Sequence, residues 1–267
     1  MSETQQGAQL SGKMFLFQNP ELMSKEEHGA LGISRPAKPY SFCANVRAIP
    51  ITINEIPAAM KDYPIIFMSE DNLAPLAVVG VNDDTNLFVD DDGNWEDNRY
   101  IPGYVRRYPF GVASESTGDR MAIVIDRDFE GIIAGGEVPL FKSDAPTEAT
   151  QQAIEFCKTY ERDRQVSDEF AKRLKDYNIV QMQTAQYTPA ASQSPQPFAQ
   201  YFAVDEEKLN GLSDDQHKEL RTSGMAPIIY ATMMSLGNWR TLLSRRARRF
   251  GLSEDQIVSQ SSNVPVN

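Results

Sequence analysis

The stretch Thr147-Glu-Ala-Thr-Gln-Gln-Ala-Ile-Glu-Phe-Cys-Lys-Thr-Tyr160 marks the place where the periodicity of the chain changes. Ala149, Ala153, Phe156, Cys157 and Tyr160 recur at helical intervals and so share one face of an α-helix. Upstream, from Phe42 to Phe141, the pattern is that of strands. Short apolar runs stand at Ile49–Ile53, Ile65–Met68, Leu76–Val81, Leu87–Val89, Tyr104–Tyr108 and Met121–Ile125, with a weaker one at Ile132–Leu140. Asp, Gly, Asn and Pro clusters separate these runs at nearly even intervals, which predicts a compact β-rich region. A closed barrel, a sandwich and a mixed sheet all fit that spacing.

Downstream, helices and strands mix. Ser167 is placed to N-cap a second helix, with Phe170, Ala171, Leu174 and Tyr177 as its apolar side. Asn178–Tyr187 alternates as a strand does, Thr188–Pro197 reads as a loop, and Phe198–Val204 reads as a further strand. Asp205, Glu206 and Glu207 suit a helix start, where carboxylates complement the dipole. Ser213 and Gln216 form a capping box that opens a helix through Leu220. The strongest helical signal runs from about Ala226 to Arg248, with Pro227 in its first turn and Gly251 just past its end. The class expected is therefore α+β: a β-rich body, its sheet mixed or antiparallel and barrel-like closure still open, with helices packed from the C-terminal half.

Residues 1–40 read as a flexible N-terminal arm, interrupted by Gly7, Gly12, Gly29, Gly32, Pro36 and Pro39, with one apolar patch at Met14–Phe17 suited to docking on the body. Residues 41–252 then form a single α+β domain and 253–267 a polar tail.

Composition narrows the function classes. With 26 basic and 37 acidic residues among 267, the net charge is −11, which disfavours non-specific attraction to nucleic acid or anionic lipid. No apolar run approaches the ~18–20 residues of a membrane-spanning helix. The start shows no basic region followed by a long apolar core, so a cytoplasmic protein is expected. Cys43 and Cys157 lie far apart and read as two buried thiols, and His28 and His217 are the only histidines. No pair has zinc-ligand spacing, so neither metal nor cofactor is expected. The nucleophile-elbow, Walker A and dinucleotide-binding glycine patterns are absent.

Three clusters could carry chemistry. Asp83–Asp97 holds seven acids and no basic residue, but Trp95 stands where an EF-hand loop starting at Asp90 needs glycine. A β-hairpin fits better, with Leu87–Val89 entering, Asp-Gly-Asn turning and Trp95 leaving toward the core. Next comes Tyr100-Ile-Pro-Gly-Tyr-Val-Arg-Arg-Tyr-Pro-Phe110, whose interleaved aromatics and arginines match a single-strand nucleic-acid platform in composition only. Read as a strand, it places Tyr104, Arg106 and Tyr108 on one side and Val105 and Arg107 on the other. One arginine is then solvated while the other holds carboxylates with its planar fork. Asp90, Asp92, Trp95, Tyr100, Tyr104, Arg106, Arg107 and Tyr108 are the candidate binding residues. The third cluster is Arg240, Arg245, Arg246, Arg248 and Arg249, with no acid in the ten positions 240–249. Complementing a helix dipole, at about 0.3–1 kcal/mol each, accounts for one or two of them. The rest suit either an acidic partner or the chain's own acidic loop.

Taken in order, these blocks resemble the bacterial SapC-like family. The matching stretches are Tyr63-Pro-Ile-Ile-Phe67, Asn86-Leu-Phe-Val-Asp90 with Gly93 and Trp95, the block 100–110, Phe202-Ala-Val-Asp-Glu-Glu-Lys-Leu209 and Ile229-Tyr-Ala-Thr-Met-Met-Ser-Leu236. They span about 42–245 and leave the arm outside. The resemblance implies a surface-array context, in which such a protein accompanies a crystalline surface layer and its secretion system. Relatives also stand beside outer-membrane receptors and peptide-modifying enzymes. It implies no catalytic residues, and the transporter label of some members conflicts with the absence of a membrane span. Two functions follow as expectations. One is an accessory binding protein acting through macromolecular recognition, its partner a surface-layer or outer-membrane component, with a homo-oligomer also compatible. The other is a peptide- or glycan-directed enzyme using Asp, Arg and Tyr residues of 83–110.

Overall fold

The computed structural model describes residues 13–114, 121–190, 194–253 and 256–258. The first twelve residues of the expected arm and most of the expected tail lie outside these described residues. The elements begin with β1 (Pro20–Leu22), α1 (Lys25–His28), β2 (Leu31–Ile33), β3 (Ala48–Pro50), α2 (Ile56–Ala59), β4 (Ile65–Phe67) and β5 (Pro75–Val78). Next come α3 (Gly103–Arg106), β6 (Phe110–Ser114), β7 (Met121–Asp126), β8 (Ile132–Ala134), β9 (Val138–Pro139), β10 (Phe141–Lys142) and β11 (Ala145–Pro146). The remainder is α4 (Glu148–Asp176), β12 (Val180–Tyr187), β13 (Gln196–Val204), α5 (Glu206–Asn210), α6 (Asp214–Thr222), α7 (Met225–Ser235) and α8 (Asn238–Phe250). The class is α+β, and its antiparallel sheets are open rather than closed into a barrel.

The chain gathers into two compact units, Met1–Phe42 with Arg106–Glu161, and Cys43–Val105 with Arg162–Asn267. This grouping cuts across the stretch 41–252 that was expected to form one domain.

In the first unit, β7 lies between β1 and β6, and β2 lies between β8 and β9. Leu31, Phe110, Ile125, Ile132, Leu140 and Cys157 make its core. Residues 20–33, expected in a flexible arm, are instead woven into both sheets, and Leu16 and Phe17 are buried. Gly32 shows why the sequence misled: a Cβ there would come within 2.6 Å of the Gly136 carbonyl oxygen. Its glycine permits close backbone approach rather than looseness. The buried Asp126 carboxylate then ties the segment down, accepting the N–H groups of Gln18 (2.8 Å) and Asn19 (2.9 Å).

In the second unit a five-stranded antiparallel sheet runs in the order β12-β13-β4-β5-β3. Phe67, Phe170, Leu174, Ile179, Val204 and Ile229 form one of its buried clusters. Ser167 caps no new helix, because α4 continues unbroken through it for 29 residues. Its hydroxyl donates to the Asp163 carbonyl (2.7 Å) and accepts the Ile53 N–H (2.9 Å), so a distant backbone donor replaces the expected local cap. The segment 226–248 is likewise two helices, not one, and the break falls at Leu236 and Gly237. There Asn238 turns its amide onto the carbonyls of Met60 (2.7 Å) and Tyr63 (3.1 Å). The local signals held where their partners are local. Asp205 accepts the Lys208 N–H at 2.8 Å, and both halves of the Ser213–Gln216 capping box are formed.

Candidate functional site

The acidic stretch is a hairpin. Val89 bridges Trp95, Gly93 turns the chain at φ 73°, and the Asp90 carboxylate accepts the Asn94 N–H at 2.8 Å. Asp90 and Asp92 stand exposed at its tip, whereas Trp95 is only 6% exposed and stacks on Phe88. Three of the five arginines close on this loop. Arg246 is fully buried, with Nε 2.6 Å from Asp83 Oδ2, and it donates to the Gln256 and Ile257 carbonyls as well. Arg245 forks onto Glu96 and lies 4.2 Å over the Phe88 ring. Arg249 reaches Asp91 at 2.6 Å. These three are therefore engaged within the chain, while Arg240 and Arg248 are exposed. The Arg245 hydrogen bond holds the Glu96 carboxyl below its ordinary value, against partial burial and with help from Arg99.

Residues 100–109 form no strand, and β6 begins only at Phe110. Glu55 accepts the Tyr100 hydroxyl (3.0 Å), the Gly103 N–H and the Thr52 N–H (2.7 Å), while Asp62 accepts the Tyr100 N–H (2.9 Å). Those carboxylates collect donors that a strand would need for its ladder, and the chain turns at Pro102 into α3 instead. The alternating faces assigned to residues 104–108 therefore do not exist. The two arginines still differ. Arg106 is exposed beside the Phe156 ring, whereas Arg107 is 7% exposed with its guanidinium 4.7 Å from the Tyr160 centroid. Tyr108 stacks on Phe42 at 3.8 Å and donates to the buried Asp126 at 2.9 Å. Tyr104 is half-buried on α3. Tyr100 and Tyr104 belong to the second unit and Arg106, Arg107 and Tyr108 to the first, so the block serves two separate scaffolds. Both cysteines are buried and neither is in a disulfide; burial pushes Cys43 up to about 12 and Cys157 up to about 11, the latter against the nearby Arg107 charge. Among the described residues no group of three or more His, Cys, Asp or Glu side chains is placed to hold a metal ion.

The sequence reading missed a cleft of about 680 Å³, lined by the ends of β12 and β13 and the start of α8. Tyr187, Phe198, Tyr201 and Trp239 supply its aromatic walls. The Trp239 ring lies 5.6 Å from Phe198 and 5.3 Å from Tyr201, at 78° and 45°. Ala185, Tyr201 and Ala203 form the buried cluster that Leu236 and Trp239 pack against. Burial raises the Tyr201 hydroxyl above its ordinary value, with the adjoining Trp239 indole N–H pulling the other way. Thr184, Gln186 and Thr188 offer hydroxyl and amide groups, and among the described residues Arg240 is the one charged residue lining the cleft. The arrangement suits a ligand with an apolar or aromatic body and an anionic group. Its signal lay in two alternating strands and a tryptophan at a helix start, which meet only once the chain is folded.

The SapC family model matches residues 23–242. This chain belongs to the SapC family. No curated protein and no solved structure matches it. The SapC match starts inside the expected arm, in keeping with the strand pairing of β2, and it takes in Tyr187, Phe198, Tyr201, Trp239 and Arg240 of the cleft. It ends within α8, before the three arginines that close on the acidic hairpin. Among the described residues of this SapC chain no helix is long and apolar enough to cross a membrane.

Proposed function

We propose that this SapC protein is an accessory binding protein of bacterial surface-layer or outer-membrane systems, acting by recognition of another macromolecule. The aromatic cleft carries the reading. Its lining holds four aromatic rings and one arginine, and no Asp, Glu, His, Cys or Lys among the described residues. Aromatic residues and arginine are the side chains that anchor partners at interfaces. The carboxylate, imidazole, thiol and amine groups that most often carry acid–base or nucleophilic chemistry are not among these lining residues, although the Tyr and Thr hydroxyls are. The enzyme alternative drew on residues 83–110, and many of those polar side chains hold the hairpin, the 100–103 turn and Tyr108 in place. The surface context rests on family membership.

The experiment is site-specific photo-crosslinking in native cells from Gln186, exposed at the rim of the cleft. Mass spectrometry of the adduct is expected to identify a surface-layer or outer-membrane component, and Trp239→Ala with Arg240→Ala is expected to abolish the adduct. An adduct that persists at full yield in the double variant overturns the assignment of the cleft.

A further inference from the structure

The five-stranded sheet of the second unit has two ends, and they are built differently. At one end β3 is three residues long and finishes on Pro50, which has no N–H to offer. Short edge strands and prolines are the devices by which natural sheets avoid unwanted pairing. At the other end β12 is eight residues long, Val-Gln-Met-Gln-Thr-Ala-Gln-Tyr, with no charge, proline or glycine. At the strand rise of ~3.4 Å per residue it presents an edge of roughly 27 Å. Its one irregularity, a bulge between Ala185 and Gln186, leaves 180–185 regular.

The phase of the ladder shows which backbone groups face outward. The Asp205 N–H donates to the Ile179 carbonyl at 2.8 Å, and β12 pairs Val180 with Val204, Met182 with Phe202 and Thr184 with Gln200. These three are then the non-hydrogen-bonded pairs, so Val180, Met182 and Thr184 turn their N–H and C=O groups away from β13. Among the described residues no backbone hydrogen bond from outside the sheet reaches 180–187. Met182 is 58% exposed, and Thr184 and Gln186 are exposed too. Residues 184–187 of this same strand also line the aromatic cleft.

Resting on the reading of the cleft as a recognition site, we propose that the outer edge of β12 receives an extended segment of a partner protein as an added strand. That segment places an apolar or aromatic side chain in the cleft and an acidic side chain on Arg240. Strand addition of this kind takes affinity from main-chain hydrogen bonds and specificity from pockets for alternate side chains. Charge argues for the acidic residue: Arg240 is exposed at the cleft and makes no ion pair among the described residues, in a chain whose net charge is −11. It also argues against a second copy of this chain, because β12 has no acid to present to Arg240.

The test selects a binder from a displayed random decapeptide library against the full chain and synthesises the most enriched peptide. Each peptide amide is then N-methylated in turn, which leaves the protein untouched. Strand addition predicts a period of two: methylation at alternate amides lowers affinity tenfold or more, and at the intervening amides less than twofold. Hydrogen exchange at Val180, Met182 and Thr184 slows on binding. Arg240→Glu weakens binding at least tenfold, and changing the peptide's acid to lysine restores it. Thr184→Pro, with native-like circular dichroism, abolishes binding. A flat N-methyl scan in a peptide whose binding Trp239→Ala still abolishes overturns strand addition and leaves the cleft as the recognition site. Failure to enrich any peptide, binding indifferent to Trp239→Ala, or a concentration-dependent dimer dispersed by Thr184→Pro overturns the proposal.

Discussion

The buried guanidinium of Arg246 on α8 closes on the carboxylate of Asp83, 163 positions earlier in the chain, with Nε 2.6 Å from Oδ2. The same side chain gathers the carbonyls of Gln256 and Ile257. One residue therefore joins the acidic hairpin, the last helix and the segment that follows it.

Removing one partner of a buried ion pair costs about 3–5 kcal/mol, because the other charge is left without compensation. Arg246→Ala is expected to lower the melting temperature sharply, whereas Arg248→Ala, at an exposed position, is expected to change it little. Arg246→Lys should recover only part, since a point charge cannot hold Asp83 and two carbonyls in the geometry of the planar fork. Thermal denaturation of the three variants checks this.

Arg106 and Arg107 provide a second contrast. A guanidinium over an aromatic face contributes about 0.5–1 kcal/mol when exposed and about 2 kcal/mol or more when desolvated. Arg107→Ala is expected to destabilise the protein measurably, and Arg106→Ala to leave urea midpoints nearly unchanged. Equal midpoints for the two variants would contradict the burial difference.

The thiols give a chemical test. With Cys43 pushed up to about 12 and Cys157 up to about 11, almost no thiolate exists at pH 8, and burial blocks access as well. Iodoacetamide is expected to leave the folded protein unmodified and to add two groups in denaturant, as read by intact mass.

Acid stability follows from Glu96. Its folded value is lowered by Arg245 and Arg99, so the unfolded chain binds the proton more readily. The contribution is then fully present above the ordinary carboxylate range and is lost as pH falls through the depressed folded value. Arg245→Ala should flatten the acid limb of the stability curve below about pH 4.3, the usual Glu value. Urea midpoints of parent and variant between neutral and acidic pH measure the difference, and parallel limbs would count against the assignment.

Features whose partners are sequence neighbours were legible without coordinates. The capping box of Ser213 and Gln216, the cap at Asp205 and the hairpin turn at Asp90–Asn94 each close within five residues, so residue type and spacing suffice. The change of period at 147–160 announced α4, and the alternation of 178–187 and 198–204 announced β12 and β13. The α+β class followed from those patterns, as did the burial of two widely spaced thiols.

Tertiary structure decided the rest, wherever a distant group outbid a local preference. Glu55 and Asp62 turn 100–106 into a turn and short helix where the alternation read as a strand, and the Ile53 N–H takes the Ser167 hydroxyl that was expected to start a helix. Asn238 reaches back to Met60 and Tyr63 at the break between α7 and α8. Arg245, Arg246 and Arg249 read equally well as a surface for a partner until folding brought the acidic hairpin to them. The cleft shows the limit most plainly. Tyr187, Phe198 and Trp239 carry no motif, and their convergence depends on a strand register set by the backbone ladder and on a helix break where the Asn238 side-chain amide donates to the remote Met60 carbonyl.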